Sequence, residues 1–168
     1  MMNFCTIYKA DMLNGYGVRV TLFVSGCHHK CPGCFNQRAW REDYGKPYTK
    51  ETQDTIIEYM KKPYIDGLTF LGGEPMEPDH QKDVWELICR TRDELPDKTI
   101  WLYSGYTLEE LRSMDTPFVK NILANIDVLV DGRFVQDLYD PDLPFKGSSN
   151  QRIIDMRQTG DGDPVLLL

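Results

Sequence analysis

The sequence predicts an α/β protein built on an open, mainly parallel sheet, and three observations lead there. After residue 36, short apolar β-prone runs alternate with longer stretches whose apolar residues recur at helical spacing, giving three strand-then-helix units in succession. A glycine-rich segment and a cysteine-rich segment each follow the carboxyl end of an expected strand, where parallel α/β architectures gather their ligand-binding loops. The chain has 168 residues, which fits one domain over 1–168 with a sizeable core. A closed eight-unit barrel typically takes about 250.

Phe4 to Tyr8 reads as a first short strand in which Cys5 is a small packing residue. Asn14-Gly15-Tyr16-Gly17 turns into a second strand from about Val18 to Val24, whose Val18, Val20, Leu22, Phe23 and Val24 form an apolar run. Trp40 to Thr49 is a polar connection carrying Gly45 and Pro47. Glu51 to Lys62 reads as a helix with Ile56, Ile57 and Met60 on its buried stripe, acidic residues early and basic ones late. Pro63 helps to end it, and Gly67 to Leu71 is the next buried strand.

Pro78 to Glu94 is a second helix with Val84, Leu87, Ile88 and Cys89 facing inward. His80, in its polar first turn, is expected to be exposed and outside any site. Lys98 to Tyr103 is a strand ending in Ser104-Gly105-Tyr106, and Thr107 with Glu110 forms a capping box for the following helix. Phe118 to Leu123 gives another apolar helical face, and Ile126 to Val130 a strand that ends at Asp131. From about 135 to 168 the chain is expected to be mostly irregular: Tyr139 to Pro144 is rich in Asp and Pro, Gly147 to Gln151 is polar, Gly160 to Pro164 reads as disordered, and Leu166-Leu167-Leu168 is too short to anchor anything.

A formal charge of −7 argues against a nucleic-acid surface, which would show a basic stripe. No run of about 18 apolar residues offers a membrane span, and the first residues lack the layout of a signal peptide. The five cysteines are an odd number, so a disulfide framework is not indicated and a reducing cytoplasm is expected.

Cys27, Cys31 and Cys34 form a Cys-x-x-x-Cys-x-x-Cys array within Ser25 to Asn36. One loop thus presents three thiolates together. A four-iron cluster takes four, and no fourth cysteine lies nearby, so one iron would be left open for a small ligand. The rival is a closed Cys3His zinc site completed by His28 or His29; zinc folds pair their ligands as two separated knuckles, and only one is present. His28 and His29 therefore read as loop residues. Gly72-Gly73-Glu74-Pro75 follows the third strand, and its paired glycines expose backbone groups to a small ligand. Alone it is only a turn; with the cysteine loop upstream it becomes a strong functional signal.

These two motifs resemble those of the radical S-adenosylmethionine (SAM) superfamily, and within it the activators of anaerobic (class III) ribonucleotide reductases. The residues that carry the resemblance are Asn14-Gly15, Gly17-Val18-Arg19, Leu22 to Cys27, Cys31 to Asn36, Tyr103 to Tyr106, Val130 to Phe134 and Gly147 to Gln151, spanning nearly the whole chain. Two positions differ from common patterns: Tyr16 stands where the family usually has Pro, and Gly33 stands where many radical SAM proteins have an aromatic residue, although Pro-Gly-Cys is itself the reductase-activator version.

The resemblance implies an open, incomplete (β/α) barrel. It implies a [4Fe-4S] cluster on Cys27, Cys31 and Cys34, with SAM bound by its amino and carboxylate groups at the open iron. Contacts to SAM would come from Gly33, Cys34, Phe35, Gly72, Gly73, Glu74, Ser104 and Asp131. For Ser104 a local turn hydroxyl, and for Asp131 a solvent-exposed turn, remain the alternative readings. Arg133 could face the ligand with Asp131. The chemistry implied is reductive cleavage of SAM and abstraction of a hydrogen atom from a glycine Cα of the large reductase subunit, fed by a flavodoxin- or ferredoxin-type reductant. Activation of another glycyl radical enzyme, a small purine-like substrate and a zinc-binding interaction module are the competing expectations.

Overall fold

Strand β2 (Arg19–Ser25) carries side chains on two unlike faces, and the rest of the fold follows from that division. Val20, Leu22 and Val24 point into the main apolar core, and Arg19, Thr21 and Phe23 point the other way. The computed structural model describes residues Met1–Leu168. Its single sheet adds β1 (Asn3–Asp11), β3 (Lys46–Pro47), β4 (Gly67–Gly72), β5 (Thr99–Ser104), β6 (Val128–Asp131) and β7 (Arg152–Asp155), in the order β3-β1-β2-β4-β5-β6-β7.

Strands β2, β4, β5 and β6 run parallel. Strands β1 and β3 on one side and β7 on the other are antiparallel to their neighbours. The sheet is therefore open, as expected, but mixed rather than mainly parallel. For β1 the connection explains the difference: a parallel pair needs a crossover, usually a helix, whereas residues 12–18 join β1 to β2 without one.

Five α-helices, α1 (Lys50–Met60), α2 (Gln81–Glu94), α3 (Leu108–Arg112), α4 (Val119–Asn125) and α5 (Met156–Thr159), and two short 3-10 helices, Gln37–Trp40 and Gln136–Leu138, complete the chain. Thr49 and Thr52 form a capping box on α1, and the expected box of Thr107 and Glu110 caps α3. Ile56, Ile57 and Met60 of α1, Val84, Leu87 and Ile88 of α2, and Leu108, Leu111, Val119 and Ile122 pack with Val20, Leu22, Val24, Leu68, Phe70, Ile100, Leu102 and Leu129 in one core.

The opposite face holds a second, smaller cluster of Trp101, Val128, Val130 and Ile153. Arg19, 1% exposed, fills one end of this face. Its guanidinium donates to Thr69 Oγ1, Thr99 Oγ1 and the carbonyls of Tyr16, Leu68 and Thr99, so all of its donors are used without an ion pair. Burial lowers its pKa to about 10.

The carboxyl-terminal third departs from expectation. β7 pairs with β6 through Ile153 and Ile154, α5 follows, and the turn after it brings Leu166 back to bridge Ile154. Residues 160–164, read as disordered, lie in that turn, where the Gly162 N–H donates to the Thr159 carbonyl. Period-2 alternation in a strand as short as Arg152–Asp155 is too brief to be distinctive, which is why it escaped a reading by pattern.

Candidate cluster and cofactor site

The loops at the carboxyl ends of β2, β4, β5 and β6 meet over the second sheet face and enclose a cavity of about 700 Å³. Cys27, Cys31 and Cys34 line it, as do Gly72, Gly73, Glu74, Ser104 and Gly105, with Phe23, Leu71, Tyr103 and Val130 of the sheet face below. Two sequence motifs about forty residues apart are thus brought to one wall.

Backbone contact makes that meeting possible. Gly73 N–H donates to Val24 O at 2.7 Å and Glu74 N–H to Gly26 O at 2.8 Å, while Gly26 N–H reaches Ala39 O at 2.8 Å. Gly72 has φ +109°, and a Cβ there would stand 2.5 Å from the Val24 nitrogen; a Cβ on Gly73 would stand 2.5 Å from Gly26 O. Only glycine lets the two loops approach so closely. At the cysteine turn, Cys34 N–H donates to Cys31 O at 3.1 Å, and Gly33 lies against the side chain of Gln136.

The remaining predicted residues are placed as follows. Phe35 is 74% exposed and meets Phe134 and Tyr139 at the cavity edge, with ring centroids 5.3 and 5.5 Å away. Glu74 is fully buried, and its carboxylate accepts four hydrogen bonds: from Met76 N–H (2.8 Å) and Ser104 Oγ (2.9 Å) on Oε1, and from Gly105 N–H (2.7 Å) and His29 Nε2 (2.8 Å) on Oε2. Glu74 therefore joins three of the loops. Ser104 directs its hydroxyl to Glu74 and accepts from Tyr106 N–H.

Asp131 does not join the cavity. It is 1% exposed and accepts from Arg152 Nε at 3.0 Å, Arg152 Nη2 at 2.6 Å and Leu108 N–H at 2.7 Å. Its carboxylate ties β6 to β7 and α3. Arg133 likewise pairs with Glu110, at 3.1 Å.

The expectation for His80 is corrected, whereas His29 lies in the loop as expected and finds a partner there. His80 is 3% exposed and its Nδ1 meets the Glu74 carbonyl at 2.8 Å, because the chain turns back before α2 begins at Gln81. His29 lines the cavity with its ring edge against Tyr106. Trp40 and Phe145 also line the cavity and were not singled out by sequence. The signal available for His29 was its place between two thiols and the lone acid after Gly72-Gly73.

All five cysteines are free. Burial pushes the Cys27 thiol up to about 11 and raises that of Cys31 as well, so a bound cation has to supply what stabilises the thiolates. No group of three His, Cys, Asp or Glu side chains is gathered tightly enough to hold a single metal ion. The three thiols instead border one cavity, an arrangement that fits a cluster offering each thiolate its own iron.

Comparison with known proteins agrees. A family model described as a 4Fe-4S single cluster domain matches residues 13–154. Fold and site thus define an α/β iron–sulfur domain with one cluster. The anaerobic ribonucleoside-triphosphate reductase-activating protein of Escherichia coli (strain K12) is 44% identical over 158 residues, covering 93% of this chain and 100% of the relative. The protein of that name from Vibrio cholerae serotype O1 is 47% identical over 154 residues (90% and 97%), and that of Enterobacteria phage T4 is 37% identical over 152 residues (90% and 93%). The chain belongs to the family of anaerobic ribonucleoside-triphosphate reductase-activating proteins.

Proposed function

We propose that this chain is a radical SAM activase that places a glycyl radical on an anaerobic ribonucleotide reductase. The observation that carries the reading is the convergence of three free thiols and the Gly72–Gly73 backbone on one cavity in a chain of this family. The family's four-iron domain favours iron over zinc at Cys27, Cys31 and Cys34, and the names of the relatives favour the reductase over another glycyl radical enzyme.

When bound, the reduced cluster would pass one electron to SAM, giving methionine and a 5'-deoxyadenosyl radical that takes a hydrogen atom from a glycine Cα of the reductase. The protein's own part is to hold and enclose. Cys27, Cys31 and Cys34 would ligate three irons. Backbone groups of Gly72 and Gly73 would meet the methionyl amino group, and Gly33 and Phe35 would stand beside the adenosyl moiety. Phe23, Leu71, Val130, Phe134 and Phe145 give the cavity apolar walls, which keep water and stray hydrogen donors from a radical. The open sheet edge leaves room for a protein substrate. We assign SAM as the cofactor and the incomplete-barrel character of the sheet to the same reading, together with a flavodoxin- or ferredoxin-type reductant and a cytoplasmic setting. No helix is long and apolar enough to cross a membrane.

Anaerobic reconstitution with iron and sulfide, then reduction with SAM present, tests this. Wild type is expected to release 5'-deoxyadenosine and Cys31→Ala none, and a glycyl-radical resonance should appear when the reductase is added. A well-formed cluster that never cleaves SAM, even with the reductase present, defeats the reading.

A further inference from the structure

We propose that His29, seconded by His28, is a positioning residue that docks the cysteine loop onto the β4–α2 connection and holds the three thiols at the cavity before any iron arrives. The inference rests on the reading of Cys27, Cys31 and Cys34 as cluster ligands, and it concerns what shapes the loop that bears them.

The geometry is specific. His29 Nε2 lies 2.8 Å from Glu74 Oε2, with the two side chains 6% and 1% exposed. The same carboxylate oxygen takes the Gly105 N–H at 2.7 Å, so one acceptor joins the loops after β2 and β5. The imidazole is packed as well as bonded: its centroid is 4.4 Å from that of Tyr106, and a Cβ on Gly105 would stand 2.4 Å from its Cδ2. His28 repeats the device one residue earlier. Its N–H donates to Glu77 Oε1 at 2.9 Å and its Nδ1 meets Glu77 Oε2 at 2.9 Å, with Glu77 3% exposed. Both histidines between Cys27 and Cys31 are therefore stapled to acids of one segment, Gly72 to Glu77, that also supplies the cavity's glycine wall.

The loop needs such fastening. Lys30, next in sequence, adopts φ 48°, a left-handed conformation that costs a non-glycine residue free energy and persists only when its surroundings impose it. The hydrogen bond to Glu74 uses the Nε2 proton, which either the neutral or the charged imidazole can supply. Groups that orient metal ligands without touching the metal typically contribute about ten- to a hundredfold to its retention.

The test compares His29→Leu, which keeps bulk but donates nothing, with His29→Gln, which can donate to Glu74, and adds His28→Ala. Hydrogen exchange of backbone amides 27–36 in the iron-free protein is expected to speed up about tenfold in His29→Leu and to return towards wild type in His29→Gln. In reconstituted protein, iron release to a chelator should be about tenfold faster in His29→Leu and within about threefold of wild type in His29→Gln. His28→Ala should show the same trend more weakly, since its ring is 71% exposed. Unchanged exchange and iron release in His29→Leu would overturn the proposal, as would a His29→Gln variant no better than leucine. Should His29→Leu not fold, the glutamine and His28→Ala variants carry the comparison. Failure of wild type to take up iron would sink the cluster reading while the exchange data still judged the staple.

Discussion

Glu74→Gln isolates the carboxylate that joins three loops of the site. Its two oxygens each accept two hydrogen bonds, Oε1 from Met76 N–H and Ser104 Oγ, Oε2 from Gly105 N–H and His29 Nε2. Glutamine keeps one acceptor oxygen and presents an NH2 in place of the other. The hydroxyl of Ser104 can rotate to accept, and a neutral imidazole can change tautomer to accept at Nε2, but a backbone N–H can do neither. Whichever way the amide turns, one backbone donor, Met76 or Gly105, faces another donor in a fully buried place. A buried unsatisfied N–H costs about 1–3 kcal/mol, and loss of charge assistance on the surviving bonds adds a further ~1 kcal/mol. The expected destabilisation is about 3 kcal/mol, or a fall in Tm of roughly 6–12 °C for a chain of this length. Thermal unfolding of the iron-free protein by circular dichroism measures it, and amide exchange at Met76 and Gly105 locates it. A Tm within about 2 °C of wild type would show that this carboxylate is not what holds the loops together.

The other expectations concern single side chains. Gly72→Ala would place a Cβ 2.5 Å from the Val24 backbone nitrogen at φ +109°, so denaturant unfolding should show a loss of at least about 3 kcal/mol; a smaller loss means that the loop can shift. Asp131→Asn should lose about 2 kcal/mol by weakening the paired bonds to Arg152 while leaving the KM for SAM unchanged, whereas a raised KM at unchanged stability would return Asp131 to the ligand set.

Much of the architecture was legible because it rests on local chemistry. Ile56, Ile57 and Met60 announce α1 by their spacing, Thr107 and Glu110 announce the start of α3, and the apolar run ending at Val24 announces β2, the strand that leads into the cysteine loop. The cysteine array and Gly72-Gly73 were also legible as candidates for one site, since thiolate ligands and side-chain-free turns come from few residue types, and both line the cavity. What did not read out is partnership across the fold. Ser104 and Glu74 looked like ligand contacts, yet the structure directs the serine to the carboxylate. Asp131 was expected among the contacts to SAM, but it pairs with Arg152, which lies in β7, a strand too short to announce itself.

The sequence by itself therefore determined the order of the main elements as far as β6, the three candidate iron ligands and the glycines that let two loops touch. These depend on periodicity within a few residues, on side-chain chemistry and on backbone freedom at single positions. Only the tertiary structure decided that the sheet is mixed, that His29 and Glu74 meet, that His80 is buried and that Asp131 supports the scaffold. Each of those is a contact between residues distant in the chain, and the hydrogen bond a polar side chain makes is set by whatever the fold brings within about 3 Å of it.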